Sequence, residues 1–120
     1  MTVNIFVGLV AFLHSYFLLL EMFLWTKPLG RKVFGQSKEQ AEATKVLAAN
    51  QGLYNGFLVA GLIWSLVADN PELAFQLKVF FLGCVVAAGC YGAFSVDKKI
   101  FFVQALPALI GLVVLFLGGF

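Results

Sequence analysis

Charge is what this chain has least of. Among 120 residues only 12% are Asp, Glu, Lys or Arg, eight of them basic and six acidic, for a formal net charge of +2. A domain of this size folded in water carries about a quarter of its residues as charges, so an ordinary soluble domain is excluded. Without a long basic run, no nucleic-acid partner is expected. Cysteine is almost as rare. Cys84 and Cys90 cannot frame a disulfide scaffold, and they stand in no Cys-x-x-Cys or Cys/His pattern, so no metal site is expected. Placed on a helix they differ by about 120° in azimuth and about 9 Å in rise, too far apart to bridge. No charged neighbour in their span lowers a thiol pKa, so both read as structural.

Apolar residues are abundant, 62% of the chain with a mean hydropathy of +0.97, and that excludes disorder. A helix that crosses a bilayer needs about 20 mostly apolar residues. Four stretches satisfy this, at 3–25, 46–67, 73–94 and 100–120. The expected fold is all-α: an integral membrane four-helix bundle of antiparallel up-down topology, a single transmembrane domain over 1–120. The first stretch reads as a retained span, because Met1-Thr2 offers no basic segment and no small-x-small cleavage site follows Trp25.

The connections carry their own signals. Ser37-Lys38-Glu39-Gln40 fits a capping box, so helix two is expected to begin near Ser37 and run to about Val67. Its first two turns then stand in water, with Lys38 and Glu42 paired at i, i+4. Asn70 is placed to cap helix three with Pro71 at the first position, and Asp97 to cap helix four. Short connections make successive helices antiparallel neighbours. Lys27, Arg31, Lys32, Lys38, Lys45, Lys98 and Lys99 fall in connections one and three, against Lys78 alone on the other side. The positive-inside rule puts those two connections in the cytoplasm and both termini outside. Trp25 and Trp64 lie near the expected interfaces, where their rings anchor a helix.

With so few polar residues in the spans, each is informative. His14 and Glu21 lie seven residues apart on one helical face. They fit a proton relay or the polar wall of a cavity; equally, Glu21 reaches water or pairs with Lys27 or Arg31 while His14 bonds a neighbouring helix. Span two holds Asn50-Gln51-Gly52-Leu53-Tyr54-Asn55-Gly56. Asn50 shares a face with Tyr54, and Gln51 with Asn55, while Gly52, Gly56 and Ala60 form a small-xxx-small stripe. The amides serve either as interhelical glue or as a ligand-binding wall at the cytoplasmic end. Span three has a similar run of small residues, Gly83, Ala87, Ala88, Gly89, Gly92 and Ala93. In span four, Pro107 frees the carbonyl of Val103 and is expected to kink the helix.

Several of these segments, in their order, resemble the MAPEG superfamily, the membrane-associated proteins of eicosanoid and glutathione metabolism. They are Arg31-Lys32-Val33-Phe34, Ala48-Ala49-Asn50, Gly61-Leu62-Ile63-Trp64-Ser65 followed by Asn70-Pro71, then Tyr91-Gly92 and Gln104 with Pro107. The resemblance implies four-helix subunits assembled as trimers, with glutathione as the candidate small molecule and Asn50 at or beside the family's glutathione-contacting asparagine. It departs where enzymatic members carry an arginine and a histidine in span three: those positions are Cys84 and Ala87 here. The family's further arginine falls around Asp97 to Lys99, where only Lys98 and Lys99 could replace it. Thiol-transfer chemistry is therefore not implied. The chain is more similar still to bacterial four-span membrane proteins of about this length grouped as a domain of unknown function, which implies a bacterial inner membrane and no activity.

Three functions remain open. The first is a MAPEG-like homo-oligomer, trimeric, binding a lipophilic or amphipathic small molecule. Glu21, Asn50, Gln51, Tyr54, Asn55 and Tyr91 would line its polar end, His14 would be a candidate relay, and Arg31, Lys32, Lys98 and Lys99 candidate anion contacts. A second is a small proton-coupled multidrug exporter that uses Glu21. The third is a non-catalytic structural or helper membrane protein whose polar residues serve packing alone.

Overall fold

A computed structural model describes residues 2–118, and the regular elements among them are all helical. They are α1 (Thr2–Met22), α2 (Pro28–Phe34), α3 (Lys38–Val67), α4 (Pro71–Ser95), a π-helical turn over Phe101–Ala105, and α5 (Leu106–Phe116). The chain divides into two compact units, one of residues up to Leu13 with those from Leu58 onward, the other His14–Phe57. Both divisions fall inside helices, α1 and α3 respectively.

Among the described residues, three helices are long and apolar enough to cross a membrane: Thr2–Met22, Lys38–Val67 and Pro71–Ser95. The fourth apolar run, Phe101–Phe116, is shorter than the expected 100–120. After Phe116 the chain tightens into a turn, with the Gly118 N–H on the Leu115 carbonyl and Gly118 in a left-handed conformation at φ +87°. Residues 119 and 120 of that expected span lie outside the described residues, as does Met1.

The helix ends follow local chemistry. α1 stops at Met22, short of the expected Trp25, because the N–H groups of Phe23 and Leu24 converge on the Leu19 carbonyl and end the ladder. The expected loop after it instead holds α2, with Pro28 at its start. Gly35 closes α2 at φ +63°, and the Gln36 N–H reaches back to the Arg31 carbonyl at 2.9 Å, the six-to-one bond of a glycine-terminated helix. The capping box forms as expected: Gln40 N–H to Ser37 Oγ at 3.1 Å and Ser37 N–H to Gln40 Oε1 at 3.0 Å. Glu42, however, pairs with Lys45 at 3.0 Å rather than with Lys38, one turn onward instead of one turn back. Asn70 Oδ1 accepts from Glu72 N–H and Leu73 N–H at 2.9 and 3.1 Å, and Asp97 Oδ1 from Lys99 N–H at 2.9 Å, so both expected caps form.

The core of the first unit is built from Val3, Val7, Val10 and Ala11, spaced to share one face of α1, with Leu62, Leu82, Val85, Ala108 and Leu115. The π turn has a covalent cause. Pro107 offers no N–H to the Val103 carbonyl, and the preceding turn widens so that the Leu106 N–H bonds the Phe101 carbonyl five residues back. Glycines on α4 let this irregular backbone come close. A Cβ on Gly89 would lie 2.6 Å from the Ala105 nitrogen, and one on Gly92 2.9 Å from the Ile100 side chain. The rest of the small-residue run does not pack so: Ala87 and Ala88 are exposed, and Gly83 has nothing within 4 Å of its Cβ position.

Gly89→Ala is expected to destabilise by about 1–3 kcal/mol, since the new methyl meets rigid backbone. Gly83→Ala, with open space around it, is expected to be neutral or to stabilise by about 0.5–1 kcal/mol through helix propensity. Thermal unfolding of the two purified variants checks the contrast, and equal melting temperatures would contradict it.

Candidate functional site

The candidate site lies in the second unit and starts from a close approach of helices. A Cβ on Gly52 would stand 3.2 Å from the Glu21 Cβ and 3.3 Å from the Leu18 carbonyl oxygen, and one on Gly56 3.0 Å from Leu18 Cδ1. Only a residue without a side chain admits that spacing, and it carries the next polar group of α3 onto α1. Asn55 Nδ2 donates to Glu21 Oε1 at 2.5 Å. Glu21 is 3% exposed, so this amide meets a carboxylate withdrawn from solvent, where an unmade hydrogen bond is most costly. The sequence allowed Glu21 to reach water or pair with Lys27 or Arg31; the structure corrects this, because α3 comes close enough at Gly52 to bury the carboxylate and supply Asn55.

A cavity of about 370 Å³ opens beside this pair, within the range of 300–1,000 Å³ typical of small-molecule sites. Its lining includes Glu21, Met22, Trp25, Lys45, Ala49 and Asn50. Trp25 is fixed on two sides: its Nε1–H donates to Thr44 Oγ1 at 3.1 Å, and its ring meets Phe34 with centroids 4.8 Å apart. Thr44 in turn donates to the Gln40 carbonyl at 2.8 Å. The wall therefore presents the Glu21 carboxylate, the Asn50 amide, the Thr26 hydroxyl and the Lys45 ammonium that Glu42 pairs, beside apolar side chains, a set that suits an amphipathic molecule.

Of the residues singled out in the sequence, the structure brings Glu21, Asn50 and Asn55 together in this unit. Gln51 is exposed, and Tyr54 is 64% exposed with its ring edge-on to Phe57. Tyr91 belongs to the other unit and is 74% exposed, its carbonyl accepting from Ser95 Oγ at 2.7 Å. His14 is fully buried against Phe17, ring centroids 5.7 Å apart. Arg31 and Lys32 lie on α2, Arg31 half-buried, whereas Lys98 and Lys99 are exposed in the turn after α4. Two contributors were not expected from the sequence. Lys45 reads as one of the basic residues of connection one that set orientation, and Trp25 as a membrane anchor; α2 folds back beside them, with the Trp25 ring on Phe34. Gly30 of α2 is buried where a Cβ would strike the Leu24 carbonyl.

Asn55→Ala is expected to cost about 1–3 kcal/mol by leaving the buried Glu21 acceptor unmet. Asn50→Ala, at an exposed position, should stay within about 0.5 kcal/mol of wild type. The double variant Glu21→Leu/Asn55→Leu should recover most of the loss, because removing both polar partners removes the unmet one. Denaturant unfolding of the three variants reads this pattern; equal losses for Asn50 and Asn55 would contradict it.

The family profile described as "Protein of unknown function (DUF1304)" matches residues 8–116. The Uncharacterized protein YpaA of Lactococcus lactis subsp. lactis (strain IL1403) is 31% identical over 107 residues, covering 88% of each chain. No solved structure matches significantly. The matched stretch takes in every residue of the cavity. On a profile that spans nearly the whole fold and a relative aligned over most of its length, the chain belongs to the DUF1304 family.

Proposed function

We propose that this protein is a multi-pass bacterial inner-membrane protein of MAPEG-like, four-span build, which assembles as a homotrimer and binds an amphipathic small molecule in the cavity beside Glu21. The observation that carries the reading is Glu21, buried and hydrogen-bonded by Asn55, on the wall of a mixed polar and apolar cavity. In lipid, an ionisable residue held in this way marks a functional site by default.

The membrane assignment is supported by what the helices leave outside. Phe12, Leu47, Phe57, Phe80, Phe94 and Phe116 are all more than half exposed. Water-soluble monomers rarely expose so many large apolar side chains. Phe101–Phe116 is read as a fourth, short span, and α3, about 45 Å long, as crossing the bilayer with its first turns in the cytoplasm. The basic residues of α2 and of the turn after α4 then face inward, and both termini outward. Arg31 and Lys32 remain candidate anion contacts at that face.

The ligand class follows from the cavity wall. Glu21 offers a carboxylate, Asn50 an amide and Lys45 an ammonium shared with Glu42, so the polar end of the ligand carries both donors and acceptors. Its apolar part lies against Met22, Trp25 and Ala49. Glutathione or a lipophilic conjugate fits this description. With Cys84 and Ala87 where the MAPEG resemblance would place an arginine and a histidine, the proposal is binding without thiol-transfer chemistry. The burial of Glu21 also favours one competing reading, proton-coupled export of lipophilic cations through the same carboxylate.

A thermal-shift screen of the purified protein against glutathione, glutathione conjugates and lipophilic amines tests the proposal. A ligand at a hundred times its dissociation constant adds about 2.7 kcal/mol of stability. We expect a conjugate to raise the melting temperature in wild type and less so in Asn50→Ala, whose fold is not at risk. A shift from amines alone, with efflux abolished in Glu21→Gln, would transfer the assignment to the exporter. No shift from any ligand would remove the binding function, and a dimer of opposed subunits in native mass spectrometry would remove the MAPEG-like assembly.

A further inference from the structure

A second cavity, of about 390 Å³, lies wholly within the first unit and shares no lining residue with the Glu21 cavity. One wall is the last part of α4, where Cys90, Ala93 and Phe94 recur at i, i+3 and i+4 and so share a face. The other is the π turn forced by Pro107, whose Phe101 and Phe102 rings meet edge-to-face with centroids 5.4 Å apart. The lining is therefore sulfur, methyl and phenyl, with one exception. Lys98, from the turn between the two walls, brings a single ammonium.

Among the described residues no acid forms an ion pair with Lys98. The ion pair found among the described residues is Glu42–Lys45. The acid next to Lys98 in sequence, Asp97, is turned to the Lys99 N–H, which it caps at 2.9 Å. Phe94 and Phe102 are exposed at 94% and 63%, so the cavity opens outward, and in the membrane reading outward is lipid.

We propose that this cavity is a lipid site that takes one acyl chain of an anionic phospholipid between α4 and the π turn, with the headgroup phosphate on Lys98. The proposal rests on the membrane assignment above. An acyl chain matches the apolar walls, and an unpaired cation at the cytoplasmic mouth selects a negative headgroup over a zwitterionic one. Lys98 and Lys99 are both basic and both exposed, but only Lys98 lines the cavity. The geometry thus assigns the headgroup contact to one of two adjacent lysines, which bulk electrostatics would treat alike.

Native mass spectrometry of the full chain, released from detergent with defined lipids, reads the site. Phosphatidylglycerol is compared with phosphatidylcholine of identical acyl chains, and with palmitate. Wild type should retain phosphatidylglycerol preferentially. Lys98→Gln should lower the phosphatidylglycerol-to-phosphatidylcholine ratio about fivefold, the weight of one lysine at an anionic surface, while Lys99→Gln leaves it unchanged. Ala93→Leu, which fills the cavity without altering charge, should reduce retention of both phospholipids. Equal effects of the two lysine variants, or no headgroup preference in wild type, would overturn the site. Palmitate held as tightly as phosphatidylglycerol, and as dependent on Lys98, would overturn its assignment to a phospholipid. Retention of the chain in alkali-washed membranes reports the membrane assignment separately, so failure of one is distinguishable from failure of the other.

Discussion

A carboxylate buried among apolar side chains has to be satisfied from within the protein, and in the second unit Asn55 is the group that satisfies Glu21. The requirement sets the rest of that unit. Asn55 reaches Glu21 only because Gly52 and Gly56, about one turn of α3 apart, let the backbone close on Leu18, Glu21 and Met22. Once α1 and α3 are locked at that height, the chain between them must fold back. The short α2 does this, with Pro28 at its start, Gly35 at its end, and Gly30 against the Leu24 carbonyl. Trp25, Thr44 and Phe34 pin the result, and the cavity is the space left over.

The first unit meets a different constraint. Pro107 removes one hydrogen-bond donor from a helix, and the structure absorbs the loss in a π turn instead of a sharp break. A widened turn needs room, which α4 provides at Gly89 and Gly92. The same distortion places Phe101 and Phe102 beside Cys90, Ala93 and Phe94 and so makes the second cavity. In each of the two cavities a glycine contact and an irregular stretch of helix or connection create the concave surface.

The scarcity of charge gives both cavities their character. Most of the basic residues lie on α2, at the start of α3 or in the turns, and the few charges that meet apolar walls stand out chemically: Glu21 and Lys45 in one cavity, Lys98 in the other. A family without an assigned activity, shared with a bacterial relative at 31% identity, leaves function to be argued from such sites. The mixed polar groups at the Glu21 cavity suit an amphipathic ligand whose polar end carries both donors and acceptors. The lone cation of the other suits an anionic headgroup.

How much of this was legible beforehand depends on the range of the interaction. Signals local to a few residues could be read directly: the Ser37–Gln40 box, the Asn70 and Asp97 caps, the long apolar helices, and a disturbed hydrogen-bond ladder before Pro107 all depend on nearby residues of the same segment. The membrane-compatible composition and the two non-bridging cysteines were equally determined by the chain alone. Pairings between segments were not. Glu21 with Asn55 joins residues 34 positions apart, and nothing in either neighbourhood favours that partner over Lys27 or Arg31. The helix formed by Pro28–Phe34, the recruitment of Trp25 and Lys45 to a cavity, and the choice of Lys98 over Lys99 likewise depend on where backbones approach one another. The reason is physical: periodicity and capping report a residue's own helix, whereas burial of a charge and the shape of a cavity are decided by the surface that another segment brings to it.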